Sequence, residues 1–224
     1  MTRRLNRQLK RYNPSSDDPY FELNNELTNF LDSIASELKR LSCLDYGCGE
    51  RPFQEFFDKY CFSVVAFDIN QNSSESVDFL LERTGELPFA GNKFDTIFLF
   101  DVLEHVENDD KLIAELNRVL KINGHLVLSV PFMYRFHEAP YDFRRYTTSG
   151  IRSLLEHNGF KVKIITPLGS SFFAAFVMLR ESPLNSNLLA KFIRLLVLFL
   201  LRIPVRLPIS SVSPFAYSVL AVKV

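Results

Sequence analysis

The stretch Leu44-Asp45-Tyr46-Gly47-Cys48-Gly49 decides the fold of this chain. The apolar run that opens at Leu44 predicts a strand, and the two glycines predict a sharp turn where the backbone comes close to a ligand. Dinucleotide-binding turns have the pattern G-x-G-x-x-G, and Pro52 stands here at the third glycine position. The turn therefore indicates a binding site at a strand end, and alone it leaves the kind of cofactor open.

A second strand is predicted over residues 63–67 and ends at Asp68. An acid at this place can accept hydrogen bonds from two neighbouring ribose hydroxyls. The alternative for Asp68 is a surface residue that caps the next segment. Together with Gly47 and Gly49, the acid predicts a cofactor that contains a nucleoside.

Strands and helices alternate along the rest of the chain. Apolar strands are predicted at 94–100, 125–130 and 161–165, and the helices between them are expected to stop at Gly124 and Gly159. This alternation predicts βαβ units, and hence an α/β protein with a mainly parallel sheet.

Composition limits the class of protein and its surroundings. The 224 residues carry a formal net charge of zero, so no global field favours nucleic acid as a partner. Three cysteines are too few for the disulfide framework of a secreted protein, and no apolar stretch follows the charged N-terminus. We therefore expect a cytoplasmic protein that does not bind nucleic acid.

Further motifs accompany the glycine turn and the acid. They are Leu87-Pro88-Phe89 before Phe94-Asp95, Val102-Leu103-Glu104-His105-Val106, and Leu116-Asn117-Arg118-Val119-Leu120-Lys121 before Asn123-Gly124. In this order and spacing the pieces resemble the class I S-adenosylmethionine-dependent methyltransferases of the methyltransferase type 11 family. The resemblance covers about residues 42–131, and the later segments to Gly159-Phe160 also fit.

The resemblance implies a fold and a division of the chain. It implies a Rossmann-like class I methyltransferase fold, with a seven-stranded, mainly parallel sheet and an antiparallel last strand at 217–223. A basic arm and helical cap would occupy residues 1–41, with 1–19 mobile. The methyltransferase domain would occupy residues 42–224, with an apolar helical insertion at about 170–213.

The resemblance also implies that S-adenosylmethionine is the cofactor and assigns residues to it. The glycine turn would line the methionine and ribose end, Asp68 would bind the ribose hydroxyls, and the residues after the fourth strand would close the pocket near the sulfonium. Glu82 stands beside Arg83, where the family usually has an acid near the adenine amino group. The full set of predicted cofactor residues is Asp45, Gly47, Cys48, Gly49, Asp68, Ile69, Glu82, Phe100 and Asp101.

The segment 132–147 is dense in aromatic and ionisable side chains, and it follows the fifth strand, where such sheets place their substrate crevice. It resembles the H-x-x-P-x-D-[YF]-x-R-[YFW]-T stretch of type 11 proteins linked to polysaccharide or surface-glycan pathways. His137 is the candidate general base, because imidazole titrates near neutral pH, and Asp142 is the second candidate catalytic residue. The alternative is that His137 only ties the loop to Asp142.

Four residues of this segment are predicted to bind the substrate: Tyr134, His137, Arg144 and Arg145. The two arginines can clamp a phosphate or a carboxylate, and the alternative is a salt bridge to Asp142 or Glu138.

Glu104 and His105 are residue types that can hold a metal ion. Because the L-E-H-V pattern occurs widely in metal-free members of the family, we interpret it as the entry to a helix and predict no metal.

The region 188–207 is apolar nearly all round, but it is too short and too rich in cations to span a bilayer. It could form a lid over an apolar or lipid-linked acceptor, a patch lying on a membrane, a homodimer interface, or a helix packed on the core.

The predicted function is methyl transfer from S-adenosylmethionine to a small or lipid-linked acceptor, on an oxygen of a glycan-related or other metabolite. Alternatives are N- or C-methylation of a quinone-like ring, a non-catalytic module that binds S-adenosylmethionine, and a nicotinamide oxidoreductase.

Overall fold

A computed structural model of the chain describes residues 10–80, 86–181 and 213–224, together with 192, 195 and 196. The helices are α1 (Phe21–Ile34), α2 (Gln54–Tyr60), α3 (Asp109–Val119), α4 (Thr148–His157) and α5 (Ser171–Glu181). The strands are β1 (Cys43–Tyr46), β2 (Val64–Asp68), β3 (Phe79–Leu80), β4 (Phe94–Phe100), β5 (Leu120–Pro131), β6 (Phe160–Leu168) and β7 (Ala216–Lys223).

These strands form one sheet in the order β3-β2-β1-β4-β5-β7-β6. β1 pairs in parallel with β2 and β4, and β4 pairs in parallel with β5, whereas β7 runs antiparallel to both β5 and β6. The predicted seven-stranded, mainly parallel sheet with an antiparallel last strand is confirmed. The strand order reverses between β1 and β4, and open α/β sheets bind their ligands at such a switch point.

Helices cover both faces of the sheet, so the central strand β4 is buried along its whole length. α3 and α4 pack on one face, and α1, α2 and α5 pack on the other. The abundant phenylalanines fill these layers: the ring of Phe98 on β4 lies 5.8 Å from Phe56 and 5.1 Å from Phe57, centroid to centroid. The strand that ends at the switch point is therefore held rigidly from both sides.

The junction of α3 and β5 differs from the predicted one. The helix was expected to stop at Gly124, but α3 already ends at Val119, and Asn123 takes the left-handed conformation with φ 58°. Lys223 on β7 donates to the carbonyl oxygen of Asn117 at 2.7 Å. A distant side chain thus satisfies a carbonyl in the last turn, which removes the need for a glycine cap.

Two of the family motifs connect α3 to the sheet. Arg118 donates to the carbonyl oxygen of Phe89 at 2.9 Å, and Glu115 accepts from the backbone N–H of Leu87 at 2.6 Å. The buried Asp95 accepts from Lys121 at 2.9 Å. These motifs stabilise the framework around the site.

The N-terminal segment departs from the mobile arm expected over residues 1–19. Tyr12 is completely buried, and its hydroxyl donates to Asp32 at 2.6 Å. The backbone N–H of Arg11 donates to the carbonyl oxygen of Pro52 at 2.8 Å, close to the glycine turn. The cap therefore packs from Arg11 onward, and residues 1–9 lie outside the described part of the chain.

α5 opens the predicted insertion and packs on the same face as α1, with Phe173, Ala174 and Val177 buried. Most of 188–207 lies outside the described residues, so the lid, membrane and dimer hypotheses stay predictions. Among the described residues, no helix combines the length and the apolarity that crossing a bilayer requires.

Candidate cofactor and substrate site

A pocket of about 540 Å³ opens at the carboxyl ends of β1, β2 and β4. Its size is typical of small-molecule sites. The structure brings together every described member of the predicted cofactor set, and Glu82 lies outside the described residues. The members that line the pocket are Asp45, Gly47, Cys48, Gly49, Asp68, Ile69, Phe100 and Asp101.

The glycine turn is held against β2 and β4. The backbone N–H groups of Gly47 and Cys48 donate to the carbonyl oxygen of Phe67 at 2.8 and 2.9 Å. Gly47 has φ +76°, and a Cβ atom there would lie 2.2 Å from Cγ2 of Val102. Only glycine meets both conditions, so the close approach of two strand ends requires it.

Arg51 occupies the position where the family often has a third glycine. It adopts the left-handed conformation, with φ 55°, that a glycine would take there at lower cost. Its Nη1 donates to the carbonyl oxygen of Ser76 at 3.2 Å. The guanidinium therefore ties the turn to the segment that follows β2.

Asp68 ends β2 and orders the backbone around the pocket. Its Oδ2 accepts from the N–H of Gly49 at 2.8 Å, and its Oδ1 accepts from the N–H of Ile69 at 2.7 Å. Its Oδ1 also accepts from the N–H of Asn70 at 3.2 Å, whereas Oδ2 has a second lone pair that can accept from a ribose hydroxyl. The side chain of Ile69, 40% exposed, offers an apolar surface beside it. This arrangement fits the nucleoside end of S-adenosylmethionine.

Replacing Asp68 by alanine should weaken S-adenosylmethionine binding on the order of 100-fold, because a charge-assisted hydrogen bond to the ribose is lost together with the contacts that order Gly49 and Ile69. Asp68→Asn keeps acceptor oxygen and should lose less. The exposed Asp58 on α2 provides the control, since Asp58→Ala removes a carboxylate outside the pocket. Calorimetric titration measures all three, and an unchanged affinity of Asp68→Ala would refute the ribose assignment.

Asp45 is buried at the end of β1. Burial raises its pKa to about 7, the nearby charge of Asp68 adds to the rise, and Arg51 opposes it. An ammonium group placed beside Asp45 would favour the ionised form. The site is therefore suited to the amino group at the methionine end of the cofactor.

Arg11 is a pocket residue that sequence reasoning missed. Its Nη1 lies 2.6 Å from Oδ2 of Asp101, and its guanidinium carbon lies 5.2 Å from the ring centroid of Phe53. Burial alone would raise the pKa of Asp101, but Arg11 and a hydrogen bond from Ser129 hold it below its ordinary value. No local signal marks Arg11, because its partner is 90 positions away in the sequence.

His137 lines the pocket, as predicted, and is also tied to Asp142. Its Nδ1 lies 3.1 Å from Oδ2 of Asp142, which also accepts from the backbone N–H of His137 at 2.8 Å. Burial first, and then the nearby His105, lower the pKa of His137, so its imidazole is neutral at pH 7. The tie to Asp142 is confirmed, and the role of His137 as a base stays a prediction. Tyr134 also lines the pocket, with its ring centroid 4.8 Å from that of His137.

Asp142, Arg144 and Arg145 form salt bridges in this structure, and the predicted substrate clamp stays a prediction. None of the three is among the described residues that line the pocket. Arg145 contacts both carboxylate oxygens of Asp142, at 2.5 and 2.9 Å, and Arg144 pairs with Asp109 at the start of α3. Arg145 therefore forms the salt bridge to Asp142 that the sequence left open as an alternative. Asp142 is connected to the pocket through its contact with His137.

Glu104 and His105 belong to a short 3₁₀ turn, Leu103–His105, that follows β4. Both residues line the pocket, as His137 does. Glu104 is 1% exposed, and neither carboxylate oxygen has a hydrogen-bond partner within the part of the chain that the structure describes. Burial, and then the charge of Asp101, raise the pKa of Glu104 well above its ordinary value. We call Glu104, His105 and His137 together the Glu104–His105–His137 cluster.

Comparison with known proteins agrees with this geometry. Residues 44–128 match the model of a methyltransferase domain. A demethylmenaquinone methyltransferase of Bacteroides fragilis is 42% identical over 55 residues, which are 25% of this chain and 22% of that protein. A ubiquinone biosynthesis O-methyltransferase of Rickettsia conorii is 26% identical over 109 residues, which are 44% of this chain and 37% of that protein. The chain thus matches well under half the length of these two relatives.

A crystal structure shows the same fold. The S-adenosylmethionine-dependent methyltransferase of Archaeoglobus fulgidus is 18% identical and has a TM-score of 0.59, and the match covers 91% of this chain and 97% of that one. The fold is that of the class I S-adenosylmethionine-dependent methyltransferases, and the pocket fits S-adenosylmethionine. Over residues 44–128, the chain is similar to the methyltransferase type 11 family.

Proposed function

We propose that the chain transfers the methyl group of S-adenosylmethionine to an oxygen atom of a small or lipid-linked acceptor. The observation that carries the proposal is the continuity of one pocket. The glycine turn and Asp68 line the same pocket as the Glu104–His105–His137 cluster. A methyl donor at the turn and a hydroxyl at the cluster would share this cavity, and we call these two parts the cofactor side and the acceptor side.

The bound cofactor supplies an electrophilic methyl carbon on a sulfonium sulfur. In the transfer, the acceptor oxygen forms a bond to that carbon, the carbon–sulfur bond breaks with its electron pair going to sulfur, and the acceptor loses its proton. The chain contributes alignment of the two reactants and a place where that proton is lost. The cluster is suited to the second task, because a neutral imidazole nitrogen can accept a proton from a hydroxyl.

The loop that carries His137 offers aromatic surface to an acceptor with an apolar part. Three aromatic side chains of the segment 132–147 are exposed: Phe136 at 63%, Tyr141 at 44% and Phe143 at 39%. Tyr134 adds an aromatic face inside the pocket. A sugar ring or a lipid-linked group can pack on such surfaces, which supports the glycan-related acceptor indicated by the sequence.

C-methylation of a quinone-like ring is the second candidate. It is favoured by the match to a demethylmenaquinone methyltransferase, whose 42% identity covers only 55 residues. That reaction also needs an aromatic pocket, so the acceptor atom distinguishes the two candidates.

The test is the release of S-adenosylhomocysteine by the purified chain when it is supplied with fractionated metabolites and lipids. We expect release with at least one fraction, no release by Asp68→Ala, and a methyl ether in the product by mass spectrometry. A carbon-methylated ring would favour the second candidate. Binding of S-adenosylmethionine without any release would instead indicate a non-catalytic module.

A further inference from the structure

The Glu104–His105–His137 cluster has the donor atoms of a metal site. One ligand atom from each residue lies within 4.8 Å of the other two: a carboxylate oxygen and two imidazole nitrogens. The ring centroids of His105 and His137 are 4.7 Å apart. One carboxylate and two imidazoles are a common ligand set for Zn²⁺ and similar divalent transition metals.

The outer contacts of both imidazoles match those of metal ligands. Nδ1 of His105 lies 2.6 Å from the carbonyl oxygen of Tyr141, and Nδ1 of His137 lies 3.1 Å from Oδ2 of Asp142. A ligating histidine usually donates its second ring N–H to a carbonyl or a carboxylate, which fixes the tautomer and directs the other nitrogen at the ion. Here the nitrogen that can ligate is Nε2 in each ring, and Nε2 of His105 lies 3.8 Å from Oε1 of Glu104.

Glu104 provides a second, independent observation. Its carboxyl group is almost completely buried at the pocket, and neither oxygen has a hydrogen-bond partner among the described residues. Buried polar groups in native proteins are nearly always hydrogen-bonded, so an unpartnered buried carboxyl needs a reason. A cation held between Glu104 and the two imidazoles supplies that reason.

The neighbouring charges are compatible with a cation. Arg145, the positive side chain next to His137, is neutralised by its two contacts with Asp142. Asp101, which affects the pKa of Glu104, adds negative charge on the cofactor side.

We propose that Glu104, His105 and His137 bind one divalent transition-metal ion of the Zn²⁺ type on the acceptor side of the pocket. All three residues line the pocket, so a position of the ion would remain open to an acceptor oxygen, as in catalytic zinc sites. The sequence alone predicted no metal here. The role of the ion in methyl transfer rests on the proposed function, whereas binding of the ion does not.

An ion at this position changes the role of His137 in the transfer. A hydroxyl beside a divalent cation loses its proton to solvent more readily, after which its oxygen can attack the methyl carbon. His137 is then a ligand, and Asp142 is a positioning residue that orients it.

The test uses the full chain after removal of metals, titrated with Zn²⁺ alone in a calorimeter and with Co²⁺ in an absorption spectrometer. We expect one ion per chain and the visible bands of cobalt bound to imidazole. Glu104→Gln and His137→Gln should each weaken binding at least 100-fold, and Asp142→Asn should weaken it 10- to 100-fold. His157→Gln, on the exposed end of α4, is the matched control and should bind like the wild type.

The proposal is overturned if the wild type takes up no stoichiometric Zn²⁺, or if Glu104→Gln binds it as tightly as the wild type. Glu104→Gln keeps the shape of the side chain and removes a charge that burial disfavours, so it should fold even where a histidine variant does not. The same samples are titrated with S-adenosylmethionine. A chain that binds the cofactor but not Zn²⁺ would refute only the metal site. A chain that binds Zn²⁺ but not the cofactor would refute only the proposed function.

Discussion

Gly47→Ala is expected to weaken S-adenosylmethionine binding by at least 100-fold. The new methyl group would lie 2.2 Å from Cγ2 of Val102, and an alanine at φ +76° also carries a backbone cost of about 1–2 kcal/mol. The turn can relieve the clash and the backbone strain only by moving away from Phe67, whose carbonyl oxygen accepts from two N–H groups of the turn. Such a movement displaces the backbone that faces the cofactor, and misplacement by about 1 Å is sufficient for a loss of this size.

Two further variants show whether the loss has this cause. Adding Val102→Ala to Gly47→Ala removes the nearest atoms but not the backbone strain, so it should restore part of the affinity. Gly150→Ala, in α4 and outside the pocket, has ordinary backbone angles and should bind the cofactor like the wild type. Calorimetry gives the affinities and thermal unfolding reports whether each variant is folded. A folded Gly47→Ala protein with wild-type affinity would contradict the assigned turn.

Asp45→Asn is expected to have opposite effects on stability and on cofactor binding. The pKa of Asp45 is about 7 in the folded chain, against 3.8 for an ordinary aspartate. Between these values the folded state holds a proton that the unfolded state has released, so ionisation of Asp45 increasingly destabilises the fold as the pH rises from about 4 to 7. At 1.36 kcal/mol per pKa unit, the full penalty above pH 7 is up to about 4 kcal/mol.

Asparagine carries no such penalty. The variant should therefore have a higher free energy of unfolding than the wild type at pH 8, and the difference should shrink toward pH 4. Binding of S-adenosylmethionine should weaken about 10- to 100-fold, because the carboxylate that faces its amino group is gone. Urea unfolding at pH 4, 6 and 8, with the exposed Asp58→Asn as control, measures the first effect. A stability difference that does not depend on pH would refute the buried-carboxylate account.

The centre of the fold was predictable because its signals are local. The glycine turn, the acid that ends β2 and the apolar run of β4 each depend on neighbours within a few positions, and all of them lie where the sequence predicted. The antiparallel last strand could be predicted only through the resemblance, since a single strand contains no signal of its direction.

Two differences from the sequence predictions have the same physical cause, which is a partner far away in the chain. Arg11 resembles the rest of a solvated basic arm until the fold brings Asp101 to it. The helix was expected to stop at Gly124, but the residue with the left-handed conformation is Asn123. Lys223 from β7 donates to a carbonyl oxygen in the last turn of α3. Arg145 was predicted to belong to a substrate clamp, and its carboxylate partner in the structure is Asp142, three positions earlier in the same loop. In that case the sequence left both partners open, and only the fold shows the salt bridge.

The Glu104–His105–His137 cluster also depends on residues that are distant in sequence. Glu104 and His105 were interpreted as a helix entry because the L-E-H-V pattern occurs widely in metal-free members of the family, and His137 comes 32 positions after His105. The 3₁₀ turn after β4 and the loop after β5 bring the three together at one wall of the pocket. Sequence reasoning could find the ligand types and not their meeting point.

The central claim is that this pocket binds S-adenosylmethionine, and calorimetric titration of the chain with S-adenosylmethionine and, separately, with NADH tests it most directly. We expect one molecule of S-adenosylmethionine to bind per chain, and no measurable binding of NADH. Tighter binding of NADH, or no binding of S-adenosylmethionine by the folded chain, would contradict the assignment of the glycine turn and of Asp68.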